Sequence, residues 1–312
     1  MSLQSLWQLY REGGDAAFLV AQPGSAQEWF YLALFAFGQN DFTRAAEFTQ
    51  KAARLDPKNR VFPQAATYLK RVCDQGKAGV YITGEAFAAF IRGGGNIALY
   101  KAINQALHTL YQSFPSVTVL DVGVGDGMAL LPALTDNITR LDILEPSESM
   151  LAQTAAVLAR RQKPYHAHHA TIQQFIATHD QQWDLIQATW SLQSIPPAER
   201  PAVFRWAKQH GQRLLIAEFE VPGFTGLYEP ERVEYILDRY EYGVAEYEGD
   251  LVSQGFLMPV LFGYFDRTAA HTNWEGPIQG WVDDLRAAGF TTIQTRLLSP
   301  YWWADSYLID AR

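Results

Sequence analysis

The pattern of apolar and polar positions changes character near residue 78. Before it, AQEWFYLALFAFGQNDFTRAAEFTQKAARLDPKN carries apolar residues at helical spacing, broken at Gly38-Gln39-Asn40 and stopped at Asp56-Pro57. Residues 1–78 are therefore expected to form a helical domain. Residues 79–95, GVYITGEAFAAFIRGGG, are a transition, because three consecutive glycines cannot sit inside a stable helix. Beyond them two periods alternate. VTVLDVG, TRLDILEP, PYHAHHA, WDLIQATW and RLLIAEFEV read as strands. IALYKAINQALHTLY, MALLPALT, SESMLAQTAAVLARR, TIQQFIATH and PAERPAVFRWAKQH read as helices around them. That order predicts an α/β domain over 79–312, a doubly wound parallel sheet with helices on both faces. The stretch 222–277 breaks the rhythm. It is too long for a simple connection, so it is expected to form helices and an aromatic lid.

Composition narrows the partners. The formal net charge of -8 argues against a surface built for phosphate backbones, so no nucleic acid is expected. The longest apolar-aromatic run, FLMPVLFGYF, is too short to span a bilayer and contains a proline, so no membrane is expected either. Cys73 is the single cysteine, and MSLQSLWQLYREGG lacks the features of a signal peptide. Both point to a cytoplasmic setting. His166, His168 and His169 fall on a short strand-like run that no cysteine or acid cluster completes, so no metal is expected.

The informative chemistry begins at TVLDVGVGDGMALL, where a strand climbs to Asp121 and meets Gly123, Gly125 and Gly127. Strand, glycine turn and helix form a nucleotide-binding crossover, with the ligand outside the carboxyl ends of the strands. A dinucleotide fingerprint would place its third glycine at 128, which is Met128. Asp121 would also repel a pyrophosphate lying at the turn. The same carboxylate suits an amino group, and S-adenosylmethionine carries one on its methionine end. At the next strand end, Glu145 stands where an acid can hold ribose hydroxyls, whereas Asp142 lies mid-strand and faces a side of the sheet.

With these motifs in order, the chain resembles the class I S-adenosylmethionine-dependent methyltransferases over roughly residues 80–312. The resemblance rests on 121–127, 145–151, 183–195 and 213–222. It implies a Rossmann-like sheet of seven strands with the last antiparallel, TTIQTRLLSPYWWADSYLIDAR supplying the final hairpin after the helix GPIQGWVDDLRAAGF. It also implies site residues. Gly123 and Gly125 would let the backbone approach the methionine portion, and Glu145 would take the ribose. Met150, Thr171 and Ile172 would lie near the adenine, although family members often place an Asp at the last of these segments. Thr189 and Trp190 would line the methyl-transfer face. Many small-molecule members carry a His pair after the fourth strand, where this chain has Gln193-Ser194. A simple His base from that loop is therefore not expected.

The N-terminal helices resemble a tetratricopeptide repeat, with Trp29, Leu32, Ala45, Ala52 and Pro57 at its spacing. Ala33, Ala36 and Thr49 depart from the pattern. A degenerate copy over 3–19 would precede it. One or two copies cannot bury a continuous core alone, so they would either cap the enzyme domain or dock a protein.

The acceptor is expected to meet the segment before the turn, with Tyr81, Phe87, Phe90 and Tyr100, and the lid. Tyr228, Tyr264 and Trp274 join Trp190 as candidate substrate contacts. His271 and Gln193 are the candidate catalytic residues, His271 as a general base. The reading is a methyltransferase for a small molecule, at O, N or C. The alternatives are a peptide or protein methyltransferase whose helical N-terminus presents the substrate, and a non-catalytic interaction protein on the same scaffold.

Overall fold

The computed structural model describes residues 1–14, 21–80 and 82–312. The expected degenerate repeat at 3–19 runs partly outside that range, as does Tyr81. The chain divides into two compact units. Residues Met1–Ile97 and Phe224–Ala270 form a helical unit, and Ala98–Gly223 with His271–Arg312 form a sheet unit.

In the helical unit, Ala26–Gly38 is apolar almost all round, and Phe30 to Gly38 are all buried. Ser25 caps it by accepting from the Glu28 amide. Helix Phe42–Leu55 packs on it through Ala45, Thr49 and Ala52. Thr49 tolerates full burial because its hydroxyl donates to the Ala45 and Ala46 carbonyls. Helix Val61–Gln75 follows. Residues 224–270 complete the same core: the Phe262 ring lies 5.0 Å from Phe37 and 5.4 Å from Tyr68. Within Asp250–Val252, Ser253–Leu257 and Met258–Gly263 the middle turn is a π turn. Pro259 has no N–H for the Gly255 carbonyl, which accepts instead from the Thr83 amide at 3.2 Å.

The sheet unit holds β1 (Val117–Val122), β2 (Ile138–Glu145), β3 (His166–His169), β4 (Trp183–Thr189), β5 (Gly211–Phe219), β6 (Ile293–Ser299) and β7 (Ser306–Ala311). They form one seven-stranded sheet in the order β3-β2-β1-β4-β5-β7-β6. The first five are parallel, and β7 runs antiparallel to both neighbours. The strand order reverses between β1 and β4, which makes their carboxyl ends the place for a ligand. Ile103 and Leu107 of helix Asn96–Gln112 and Leu151 of helix Glu148–Arg160 cover one face. Phe204 of Arg200–His210 and Trp281 of Ile278–Ala287 cover the other.

One expected element is absent. MALLPALT forms turns and no helix. A single Leu131-to-Gly127 bond of 2.8 Å begins a helical turn, and Pro132 then lacks the N–H that would reach the Met128 carbonyl. Asn104 takes over, its amide donating to the Met128 and Ala129 carbonyls at 2.8 and 2.7 Å. Apolar periodicity marked the buried positions of this segment but not its missing donor.

Candidate active site

Each glycine of the turn adopts positive φ: +72° at Gly123, +58° at Gly125 and +81° at Gly127. Gly123 is the tightest. A Cβ there would stand 2.4 Å from that of Ser191, whose hydroxyl donates to the Val122 carbonyl at 2.7 Å. Gly125 is the opposite case, because a Cβ there would meet nothing within 4 Å. The backbone is thus clamped at its first glycine and open at its second, the shape a closely approaching ligand needs.

Two acids flank the turn. Glu145, at the end of β2, accepts from the Gly125 and Ser147 amides, both at 2.9 Å. Each carboxylate oxygen keeps a further lone pair, so hydroxyls can still bind there. Asp121 is 1% exposed, and its Oδ2 accepts from Gln187 at 3.0 Å. Gln187 in turn accepts from the Tyr111 hydroxyl at 2.7 Å. Its other oxygen, Oδ1, is buried without a partner. Burial pushes this carboxyl up to about 7, with the Gln187 bond opposing and Glu145 adding to the rise. An orphaned carboxylate oxygen beside an open glycine backbone fits an ammonium, which would restore the missing bond and favour the ionised form.

The residues expected near an adenine are placed less uniformly. Met150 is half-buried in the first turn of Glu148–Arg160. Thr171 caps the helix Ile172–Ile176 in a capping box with Gln174, so its hydroxyl already accepts the Gln174 amide. Ile172 is buried in the core. Asp142 is fully buried and held by His168 at 2.9 Å, Trp183 at 2.8 Å and Arg140 at 2.7 Å. It is a structural anchor within the sheet.

A second cluster forms at the ends of β4 and β5. Thr189 ends β4, and Trp190 follows at φ +52°, a conformation that costs a large side chain energy. Its amide bonds the Ala217 carbonyl at 2.9 Å, and its indole N–H donates to Ser306 at 3.0 Å. The Trp274 amide donates to the Gln193 carbonyl at 2.8 Å. Arg200 donates to the Trp274 carbonyl. The exposed His271 stacks on Trp274 with ring centroids 4.9 Å apart, and its Nε2 contacts the Asn273 carbonyl. Trp190, Gln193, His271 and Trp274 are therefore brought together. Tyr228 and Tyr264 belong to the helical unit, where Tyr228 is 4% exposed with its ring against Phe35 and Phe265.

The sequence reading missed two groups here. Glu218 is 1% exposed and accepts from the Gln193 amide at 3.2 Å. Burial and then the neighbouring Glu275 push its carboxyl up to about 8, while its backbone bonds and Arg200 act against this. An acid inside an apolar strand, as in LLIAEF, is a signal that could have found it. The other group is aromatic. Trp190 stacks with Phe219 at 5.9 Å, Phe219 with Tyr301 at 5.4 Å, and Tyr301 adjoins Trp302 at 5.6 Å. From the sequence, YWW at 301–303 reads only as part of a hairpin.

Residues 119–211 match the family model described as a methyltransferase domain. The match spans the glycine turn and strands β1 to β4, and it identifies a methyltransferase domain within the sheet unit. No curated protein matches the sequence. Among solved structures the chain is similar to magnesium protoporphyrin IX methyltransferase from Synechocystis PCC 6803 with bound S-adenosylhomocysteine. That likeness has 14% identity, 69% of this chain, 84% of the other and a TM-score of 0.47. It is also similar to the cyclopropane synthase MmaA2 of Mycobacterium tuberculosis, at 13% identity, 70% and 84% coverage and a TM-score of 0.47.

Proposed function

We propose that this methyltransferase acts on a small, flat, largely apolar acceptor held at the ends of β4 and β5. The observation that carries the reading is the half-buried aromatic surface of Trp190, Phe219, Tyr301 and Trp302, beside the buried Glu218 carboxyl that holds the Gln193 amide. S-adenosylmethionine, when bound, supplies the activated methyl group. Asp121 would hold its ammonium, Gly123 and Gly125 would admit its methionine portion, and Glu145 would bind the ribose diol. Met150 would supply apolar contact to the adenine. These residues bind and orient, and alignment is most of what a methyl transfer asks of the protein.

For a hydroxyl acceptor, His271 is the residue that would take the proton. Donation from Nε2 to the Asn273 carbonyl leaves Nδ1 as the basic nitrogen. His271→Ala should then lower kcat by roughly 10²–10⁴ with cofactor affinity unchanged. An unchanged kcat would remove His271 from this role and favour a neutral amine or a soft carbon as nucleophile.

Calorimetric titration with S-adenosylmethionine tests the cofactor assignments. Loss of a charge-assisted bond costs on the order of 1.5–3 kcal/mol, so Asp121→Ala and Glu145→Ala should each weaken binding about tenfold or more. Wild-type affinity in both folded variants would overturn the assignment. Screening aromatic and aliphatic acceptors of matched nucleophile tests the acceptor class: equal turnover on both, with Tyr301→Ala silent, would reject the aromatic surface as the acceptor site.

A further inference from the structure

Sheet register arranges one face of β5, β7 and β6 in rows. Leu215, Asp310 and Gln294 lie opposite one another, and Ala217, Leu308 and Arg296 form the next row. Leu215, Ala217 and Leu308 share a core with Ile103 and Leu107, so this is the face on which helix Asn96–Gln112 packs. The cover does not reach the sheet edge. Gln294 to Leu297 of β6 are exposed, and a cleft of about 740 Å³ opens between that helix and the three strands. This volume lies within the range of small-molecule pockets.

Two features define what the cleft would take. The helix lines it with Ala102, Ala106 and Thr109, whose small side chains leave room over an apolar floor of Leu215, Leu298 and Leu308. The rim carries Arg213, Arg296 and Arg312 against a single acid, Asp310. Arg213 Nε donates to Asp310 Oδ1 at 2.8 Å, its NH2 group pairs with the other oxygen, and Arg312 stands 3.7 Å from that oxygen. Asp310 is thereby committed to Arg213 and Arg312. Arg296 has no acid to match it among the described lining residues. On a chain of net charge -8, this is a local excess of positive charge above an apolar floor. Arg213 also lies near the amino end of β5, whereas the glycine turn follows the carboxyl end of β1. In the sheet, β4 separates the strands of the cleft from β1, and no residue of the glycine turn lines the cleft.

We propose that this cleft is a second ligand site, for a small anionic amphiphile whose apolar chain lies on the leucine floor and whose carboxylate meets Arg296 and Arg312. The inference does not depend on methyl transfer.

Calorimetry with laurate, kept below its micelle concentration, tests it. Laurate should bind saturably at one site, while inorganic phosphate, which has no chain, and dodecyltrimethylammonium, which has the opposite charge, should not. Arg296→Glu should weaken laurate about tenfold or more. Ala106→Leu, which fills the cleft, should abolish binding. Both variants should keep the wild-type melting temperature and affinity for S-adenosylmethionine, which separates loss of the site from loss of the fold. Equal laurate affinity in Arg296→Glu, or equal binding of the cationic amphiphile, would overturn the proposal. So would a dimer that Arg296→Glu disperses without any laurate binding, since the cleft would then be an interface between copies. Capture by anionic vesicles with no binding of dissolved laurate would overturn it in favour of a membrane surface.

Discussion

The two ends of the candidate site are built by different means. At β1 and β2 the backbone does the shaping: glycines take the positive φ values, and main-chain amides from Gly125 and Ser147 hold Glu145. At β4 and β5 side chains do it. Trp190, a bulky residue, takes the positive φ there, and the buried Glu218 carboxyl fastens the following loop through the Gln193 amide. A ligand common to a whole class can be met by backbone amides, which every residue except proline carries. An acceptor particular to one enzyme calls for side chains, which can be exchanged without altering the turn.

The sharpest way to break this contrast is to add one carbon to the backbone-built end. Gly123→Ala meets both the φ penalty and the 2.4 Å approach to Ser191, so it should cost about 3 kcal/mol or more in stability or cofactor affinity. Thermal melting and calorimetry read the two separately. Adding Ser191→Gly should relieve the clash and leave the φ penalty, giving partial recovery. Full wild-type behaviour in the single variant would show that the turn tolerates a side chain.

Asn104→Ala probes the same end from outside it. The Met128 and Ala129 carbonyls would lose their shared donor, at about 1–3 kcal/mol. Because the loss falls on the turn that follows Gly127, cofactor affinity should drop along with melting temperature. An unchanged affinity would mean that the turn is held without the Asn104 amide.

The smallest effect concerns the side-chain-built end, and it has a sign. The Glu218 carboxyl is raised in the folded protein, so its contribution is fully present below the unfolded pKa and lost as pH rises toward about 8. Asp142 is the reverse: burial opposes ionisation, but the bonds from His168, Arg140 and Trp183 outweigh it and hold the carboxyl low. Its contribution is present above the unfolded value and lost as pH falls below it. Melting followed from about pH 2 to pH 9 should therefore show Glu218→Gln flattening the alkaline loss, and Asp142→Asn leaving that limb unchanged while flattening the acid one. Parallel curves for Glu218→Gln and the parent would show that this group does not govern the alkaline limb.

Most of the sheet was legible because parallel strands buried on both faces are written as short apolar runs, and even PYHAHHA formed its expected strand at His166–His169. The glycine turn was legible because the sign of φ limits which residues can stand there. MALLPALT misled because its apolar spacing is helical while its proline and a distant asparagine decide otherwise. The aromatic surface and Glu218 were illegible for a related reason. Their partners, such as Phe219 with Tyr301, lie far apart in the chain, and local periodicity carries no record of what will face what. The joint core of Phe262 with Phe30 and Phe37 in the helical unit is hidden in the same way.

The Asn104 clasp also has a consequence in time. A glycine turn that runs into a regular helix can assemble from neighbours along the chain, within the microsecond scale of helix formation. Here the segment after the turn is finished by a side chain from Asn96–Gln112, which must first dock against the sheet. If the turn becomes native only after that docking, Asn104→Ala should speed unfolding while leaving the folding rate nearly unchanged, and a folding rate slowed in step with the lost stability would show that the turn forms early.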